Sequence, residues 1–273
     1  RIFWRWKGWK TTMREVVELG IIQFSAVYLL LIVVLAIMKH AKINQTKLLI
    51  VASFRMTIQL ILAGLVLTYI FDNQNPLFTT LYLLAMIGFT IKRTLGKSPG
   101  LNKQFRIIVA GSISFSGLST LACFVVGIVG QNLFNPQYAI PIAGMIMGNT
   151  MTGVTLALKS FSDNLKSQRA KIDSLLNLGA TPQKILLPYV NNALETALLP
   201  TLNSMVGMGI VSLPGMMTGQ ILSGTLPMTA IMYQIAIMIV ICTTVCLSSF
   251  SSLHFGYQTL INSRNQIKLI GEE

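Results

Sequence analysis

Along the chain, long apolar runs alternate with short polar connections, many of them rich in lysine and arginine. A helix rises about 1.5 Å per residue, so roughly 20 residues cross the roughly 30 Å hydrocarbon core of a bilayer. Seven runs reach or approach that length: 19–38, 48–71, 77–91, 107–129, 139–158, 197–222 and 228–250. The third is short and is expected to extend into its flanks. The fold class expected is all-α: a polytopic membrane protein with a single transmembrane domain over residues 13–273.

The connections set an orientation. Lys39, Lys42 and Lys47 follow the first run; Lys92, Arg93, Lys97, Lys103 and Arg106 follow the third. Lys159, Lys166, Arg169, Lys171 and Lys184 follow the fifth, and Arg264 and Lys268 follow the seventh. The intervening connections, near 72–76, 130–137 and 223–227, contain no lysine or arginine. Basic residues concentrate on the cytoplasmic side of membrane proteins, so the C-terminus is predicted inside and the N-terminus outside. Residues 1–12, with four basic residues and three tryptophans, run against this pattern. They read as an upstream extension or foreign remnant ahead of Met13, or as an aromatic, basic interfacial anchor.

The longest basic connection is also patterned. Leu158, Phe161, Leu165, Ile172, Leu175 and Leu176 recur at helical spacing, with Lys166, Arg169, Lys171 and Asp173 between them. Gly179 suits the end of that helix, and Thr181-Pro182 suits the start of another. A second short helix is predicted through Ile185 and Leu186 to Pro188. The segment at about 159–195 is therefore a cytoplasmic hairpin with a sharp glycine turn.

Composition narrows the function classes. Hydrophobic residues make up 53% of the chain and charged residues 11%, far from a soluble domain. The net charge of +13 could suggest nucleic acid, but the positives are confined to connections between apolar runs, which membrane topology explains. Cys123, Cys242 and Cys246 lie inside apolar runs, without the spacing of a zinc site or a disulfide framework. Leu95-Gly96-Lys97-Ser98 ends like a phosphate-binding loop, yet Ile91 stands where the first glycine is required and the segment follows a membrane run. ATP is expected to bind elsewhere. No Ser/His/Asp set or HExxH is evident, so no catalytic residue is assigned.

Permeases of ATP-binding cassette (ABC) transporters pass work across a subunit boundary through a cytoplasmic helix docked on the ATPase. Many carry EAA, three residues, then Gly. Here Asp173-Ser174-Leu175 precedes Gly179 at that spacing, with Ala180-Thr181-Pro182 behind it, although the acid is Asp and both alanines are absent. Gly144-Met145-Ile146-Met147-Gly148-Asn149-Thr150-Met151, Leu199-Pro200-Thr201-Leu202-Asn203-Ser204-Met205 and Val211-Ser212-Leu213-Pro214-Gly215-Met216-Met217-Thr218-Gly219-Gln220-Ile221-Leu222 extend the likeness. Together they closely resemble the FetB-type permease family, which includes bacterial iron-export permeases and a plant relative linked to aluminium tolerance. The resemblance is strongest over 141–247.

That resemblance implies a translocation subunit rather than an enzyme, with no cofactor of its own. It implies an ABC exporter permease for iron or a related metal, in a bacterial inner membrane, paired with a cytoplasmic ATPase subunit and forming a homodimer. The ATPase-coupling residues would be Asp173, Leu175, Leu176, Gly179, Ala180, Thr181, Pro182 and Lys184. A membrane scaffold or receptor-like protein without an ATPase, or a secondary transporter, are the alternatives from other classes.

A substrate path is read from polar groups within the runs. Arg55 is the one charge deep in a run, with Gln59 a turn further on; it faces a bundle interior or snorkels to the inner interface. Asn149, Asn203, Gln220 and Gln234 either bond between helices or line a route. Ser212, Pro214 and Gly215 interrupt the sixth run, where a broken helix is tolerated against protein or a water-filled cavity. Gly144/Gly148 and Gly215/Gly219 permit close helix approach. Ten of the fourteen methionines lie between Met145 and Met238, which reads as packing before it reads as soft-metal ligation. The eight acidic residues avoid the run interiors, with Glu195 nearest, and His40 and His254 lie near the inner surface. Hard Fe²⁺ or Mn²⁺ would favour carboxylate or imidazole ligands. The metal ligands stay unassigned, and the cargo is expected to travel chelated or through weak sites.

Overall fold

The computed structural model describes residues 20–73, 75–262 and 266–267. Residues 1–12, Met13, Arg264 and Lys268 lie outside the described residues. Among those described, the chain is helical: α1 (Ile21–His40), α2 (Thr46–Asp72), α3 (Pro76–Gly96), α4 (Lys103–Ala122), α5 (Pro136–Ser167), α6 (Arg169–Asn177), α7 (Pro182–Gly207), α8 (Gly215–Leu222) and α9 (Pro227–Gly256). A π-helical segment, Cys123–Ile128, prolongs α4, and a 3₁₀ turn, Tyr257–Leu260, follows α9.

Several helix starts follow from adjacent residues. Asn75 and Asn135 each cap a helix whose first residue is proline, their side chains accepting from Leu77 N (3.0 Å) and Gln137 N (3.2 Å). Asn102 does the same for α4, accepting from Phe105 N at 2.8 Å. Each side chain satisfies a backbone donor that the first helical turn leaves open, and proline loses nothing there.

Five helical segments combine the length and hydropathy needed to cross a membrane: Ile22–His40, Thr46–Asp72, Lys103–Ile128, Pro136–Ser167 and Pro227–Leu260. They correspond to the first, second, fourth, fifth and seventh predicted runs. The third run becomes α3, which extends into both flanks to 21 residues. Its last turns carry Lys92 and Arg93, which lowers its hydropathy. The sixth is not one helix, because α7 stops at Gly207 and α8 begins at Gly215. Among the described residues, five helices therefore qualify on both criteria, and the seven crossings expected are not all matched by this measure.

The chain divides into two compact units. The first comprises Arg1–Asn73 and Thr218–Pro227. Within it, α1 and α2 are joined by a 2.5 Å hydrogen bond between Tyr28 OH and Thr57 Oγ1. Most of their apolar side chains, including Leu30 and Leu60, are exposed, as suits helices solvated by lipid.

The second unit, Gln74–Met217 and Met228–Glu273, holds the core. Helix α5 packs against α3, α4 and α7. One buried cluster joins Phe105, Val109, Phe161, Leu165, Ile172, Leu186 and Val190; a second joins Leu121, Phe124, Ile142, Ile146, Ile237 and Ile241. Helices α4 and α9 run antiparallel, with Phe105 against Gly256 at one end and Thr120 Oγ1 2.8 Å from Thr244 Oγ1 at the other. Small residues and hydroxyls of this kind let membrane helices approach closely. The close approaches are at Gly117, Gly153 and Gly256, whereas Gly148, Gly215 and Gly219 have open space where a Cβ would project; of the predicted glycine pairs only Gly144 meets a neighbour, Met86.

Candidate functional site

Two features of the second unit combine unusual backbone with polar or exposed side chains. The first is the turn between α6 and α7. Gly179 has φ +83°, in the left-handed region that favours glycine. Gly179 N donates to Leu176 O at 2.9 Å, and Ala180 N donates to Leu175 O at 3.0 Å. These paired bonds form the Schellman arrangement, which satisfies the last carbonyls of α6. Thr181 then stands at the N-cap of α7 with Pro182 at its first position, as the residue order predicts, although the Thr181 side chain makes no capping bond.

The turn has an inner and an outer side. Ile172, Pro182, Ile185 and Leu186 are buried, and Leu175, Leu176 and Ala180 are half-buried against the same core. Asp173, Gly179, Thr181 and Lys184 are exposed. Of the predicted coupling residues, then, Leu175, Leu176, Ala180 and Pro182 hold the turn in place, while Asp173, Gly179, Thr181 and Lys184 face outward. Asp173 lies 3.8 Å from Arg169 across one helical turn. Both groups are exposed, so this pair contributes little to stability.

Leu178 is 82% exposed at the tip. Helical periodicity assigns it no role because it falls off the buried stripe. The readable signal was a leucine directly before the C-terminal glycine of a surface helix.

One expectation is corrected here. The short helix predicted to end at Pro188 does not end there, because α7 continues through Pro188 and Pro200 to Gly207. Each proline removes one N–H donor from the helix. The surrounding turns persist because Ile185, Leu186, Val190, Ala193 and Ala197 are buried on one face.

The second feature is the break between α7 and α8. Gly209, φ +83°, donates its N–H to Ser212 O at 2.9 Å, and the N–H groups of Val211 and Ser212 both reach Gly207 O, at 2.9 and 3.2 Å. A compact loop therefore replaces the helix at the predicted interruption. It brings Ser212, Pro214 and Gly215 together. Gln234, buried on α9, directs its Nε2 at Met208 Sδ across 3.9 Å, and its Oε1 is buried without a partner.

The remaining path candidates are dispersed. Asn149 and Asn203 are exposed on α5 and α7, and Asn149 donates to Met145 O of its own helix at 2.8 Å rather than to another helix. Arg55 and Gln59 lie one turn apart on α2 in the first unit, both exposed. Gln220, on the part of α8 that belongs to the first unit, is half-buried with an unpartnered Oε1. The three cysteines are free, and among the described residues no group of three or more His, Cys, Asp or Glu side chains is placed to hold a metal ion.

A family model described as "Uncharacterised protein family (UPF0014)" matches residues 21–261, which takes in both the turn and the break. The chain belongs to the UPF0014 family. Among its relatives, "Probable iron export permease protein FetB" of Escherichia coli is 33% identical over 243 residues, covering 89% of this chain and 93% of that protein. "UPF0014 membrane protein slr1647" of Synechocystis is 33% identical over 236 residues, covering 85% and 90%. "Protein ALUMINUM SENSITIVE 3" of Arabidopsis thaliana is 32% identical over 217 residues, covering 78% and 77%. No solved structure matches. The likeness read from residues 141–247 thus spans most of the helical chain, and this UPF0014 protein is a multi-pass, all-helical membrane protein.

Proposed function

We propose that this chain is the permease of an ATP-driven exporter, powered by a separate cytoplasmic ABC ATPase subunit. The observation that carries the reading is the continuity of α7. It starts at the Gly179 turn, whose outward face presents Leu178 and Lys184, and it ends at the loop that breaks the helix at Gly207. At about 1.5 Å per residue its 26 residues span roughly 39 Å. A displacement imposed at the turn is carried along one continuous helix to the break, which is the mechanical requirement of coupling.

The cargo is iron or a related metal, as the name of the Escherichia coli relative suggests. The described side chains offer amide, hydroxyl and carbonyl oxygens rather than a cluster of carboxylates or imidazoles. Weak oxygen sites, or a chelated ion, suit release on the far side better than tight coordination. Arg55, Gln59, Asn149, Asn203, Ser212, Pro214, Gly215 and Gln220 are proposed to border the route.

The arrangement is seven crossings in a bacterial cytoplasmic membrane, N-terminus outside and C-terminus inside. The distribution of Lys and Arg supports this, with α3 and α7 as the two further crossings. Two copies work with two ATPase subunits, since paired nucleotide sites form between two ATPase domains.

Purification of the tagged chain from native membranes tests the reading. An ABC ATPase should be retained in equal amount, and inside-out vesicles should accumulate Fe²⁺ only with ATP. A preparation that transports nothing and retains no ATPase overturns it, and native mass spectrometry giving one permease per ATPase pair overturns the stoichiometry.

A further inference from the structure

A groove of about 230 Å³ lies where the turn after α3 meets the polar end of α5. At about 30 Å³ per water it holds more than a single small ion. Lys97, Lys159 and Lys166 line it, along with Asp163. None of these four takes part in an ion pair among the described residues. Three lysines and one aspartate thus share the lining without an ion pair among them, and the groove carries a net positive charge.

Ser98 and Ser162 also line the groove, and the Ser98 Oγ is buried with no hydrogen-bond partner. The floor is apolar, formed by Leu101 and Leu158, both buried.

The wall that carries Lys97 and Ser98 is held in shape. Gly100 adopts φ +93°, and Asn102 beyond it donates Nδ2 to Thr259 O at 3.0 Å, tying the turn to the segment after α9. This is the Gly96-Lys97-Ser98 sequence that resembles a phosphate-binding loop without being one. The residue types that suit phosphate are present in a different setting.

We propose that this groove binds a phosphate group, carried by the headgroup of an anionic phospholipid. Lysine ammonium groups donate charge-assisted hydrogen bonds that phosphate oxygens accept, and Ser162 stands beside them in the lining. The apolar floor next to the end of a membrane-crossing helix suits the glycerol and upper acyl segment of a lipid. Basic pockets between membrane helices recognise anionic headgroups by this combination. The site is independent of the transport reading, because binding is measured on this chain alone.

The test is calorimetric titration of the full chain in a neutral detergent. The probes are dihexanoyl phosphatidylglycerol, dihexanoyl phosphatidylcholine and inorganic phosphate. The anionic lipid should bind saturably and more tightly than the zwitterionic one. Each lysine removed should weaken binding about fivefold, so the combined Lys97→Gln, Lys159→Gln and Lys166→Gln variant should lose about a hundredfold. Asp163→Asn should tighten binding severalfold, an opposite-sign effect that misfolding does not produce. The combined Lys39→Gln, Lys42→Gln and Lys47→Gln variant removes the same charge from residues that do not line the groove and should lose far less affinity.

Inorganic phosphate competing at this site with the same dependence on the variants would support the phosphate site but assign it to a soluble ligand; absence of competition supports the lipid. Equal losses in the two triple variants would reduce the effect to general surface charge and overturn the proposal. Failure of both lipid and phosphate to bind would overturn it as well and leave the groove to an acidic protein segment.

Discussion

Gly179 separates the geometry of the turn between α6 and α7 from its packing. With φ at +83°, an L-residue there incurs about 1–2 kcal/mol of backbone strain. A Cβ added at Gly179 meets nothing within 4 Å, so no steric clash adds to that strain. Gly179→Ala therefore shifts the turn away from its native geometry by a factor of about 5–30. Gly179→Asn should shift it less, because Asn enters the left-handed region more readily, and Gly179→Val more, because its β-branch adds a side-chain restriction. What is put at risk is the pair of bonds at 2.9 and 3.0 Å that closes α6, not the buried contacts of Ile172, Ile185 and Leu186. Membrane abundance should stay near wild type across the series. ATPase retention on the purified chain and ATP-dependent transport in inside-out vesicles should fall in the order Asn, Ala, Val. If Gly179→Val retains ATPase and transports at the wild-type rate, the turn is a surface loop and the coupling assignment fails.

Leu178→Asp should leave thermal stability unchanged, since the side chain is 82% exposed, yet weaken ATPase association by about tenfold or more if the leucine is covered in the complex. Unchanged association would remove Leu178 from the docking face. Gly256→Ala should destabilise the protein by about 1–3 kcal/mol, because the added methyl lands on the Phe105 ring. Phe105→Leu in the same chain should recover part of that loss in a melting experiment, and an additive result would disprove the contact. Reporter fusions after Phe250 should read cytoplasmic, and fusions at Asn73 or Asn132 external; an external C-terminus would reverse the assigned orientation and exclude the turn from contact with ATP-hydrolysing machinery.

Residues close together in the chain were the readable part. Run length and composition established a helical membrane protein, and neighbouring residues located the Gly179 turn, the Thr181-Pro182 helix start and the interruption at Ser212–Gly215. Such features depend on backbone preferences and on hydrogen bonds between near neighbours, which travel with the local sequence. The same logic overreached at Pro188. A proline inside a run marks a weak point, but whether the helix ends there depends on what holds its flanking turns.

Tertiary packing decided the rest. Leu178 is exposed while Leu175 and Leu176 pack inward because the core formed with α5 and α7 selects one face of α6. The tightest helix approaches fall at Gly256, Gly117 and Gly153 rather than at the paired glycines, because they are set by Phe105, Met147 and Val245, residues far away in sequence. Asn102 reaches Thr259, 157 residues further along the chain, and so stiffens the wall of a lysine-lined groove that no local pattern describes. Composition and periodicity report what a segment prefers. Which side of it is buried, and which charges share one groove, depends on partners brought together only when distant helices meet.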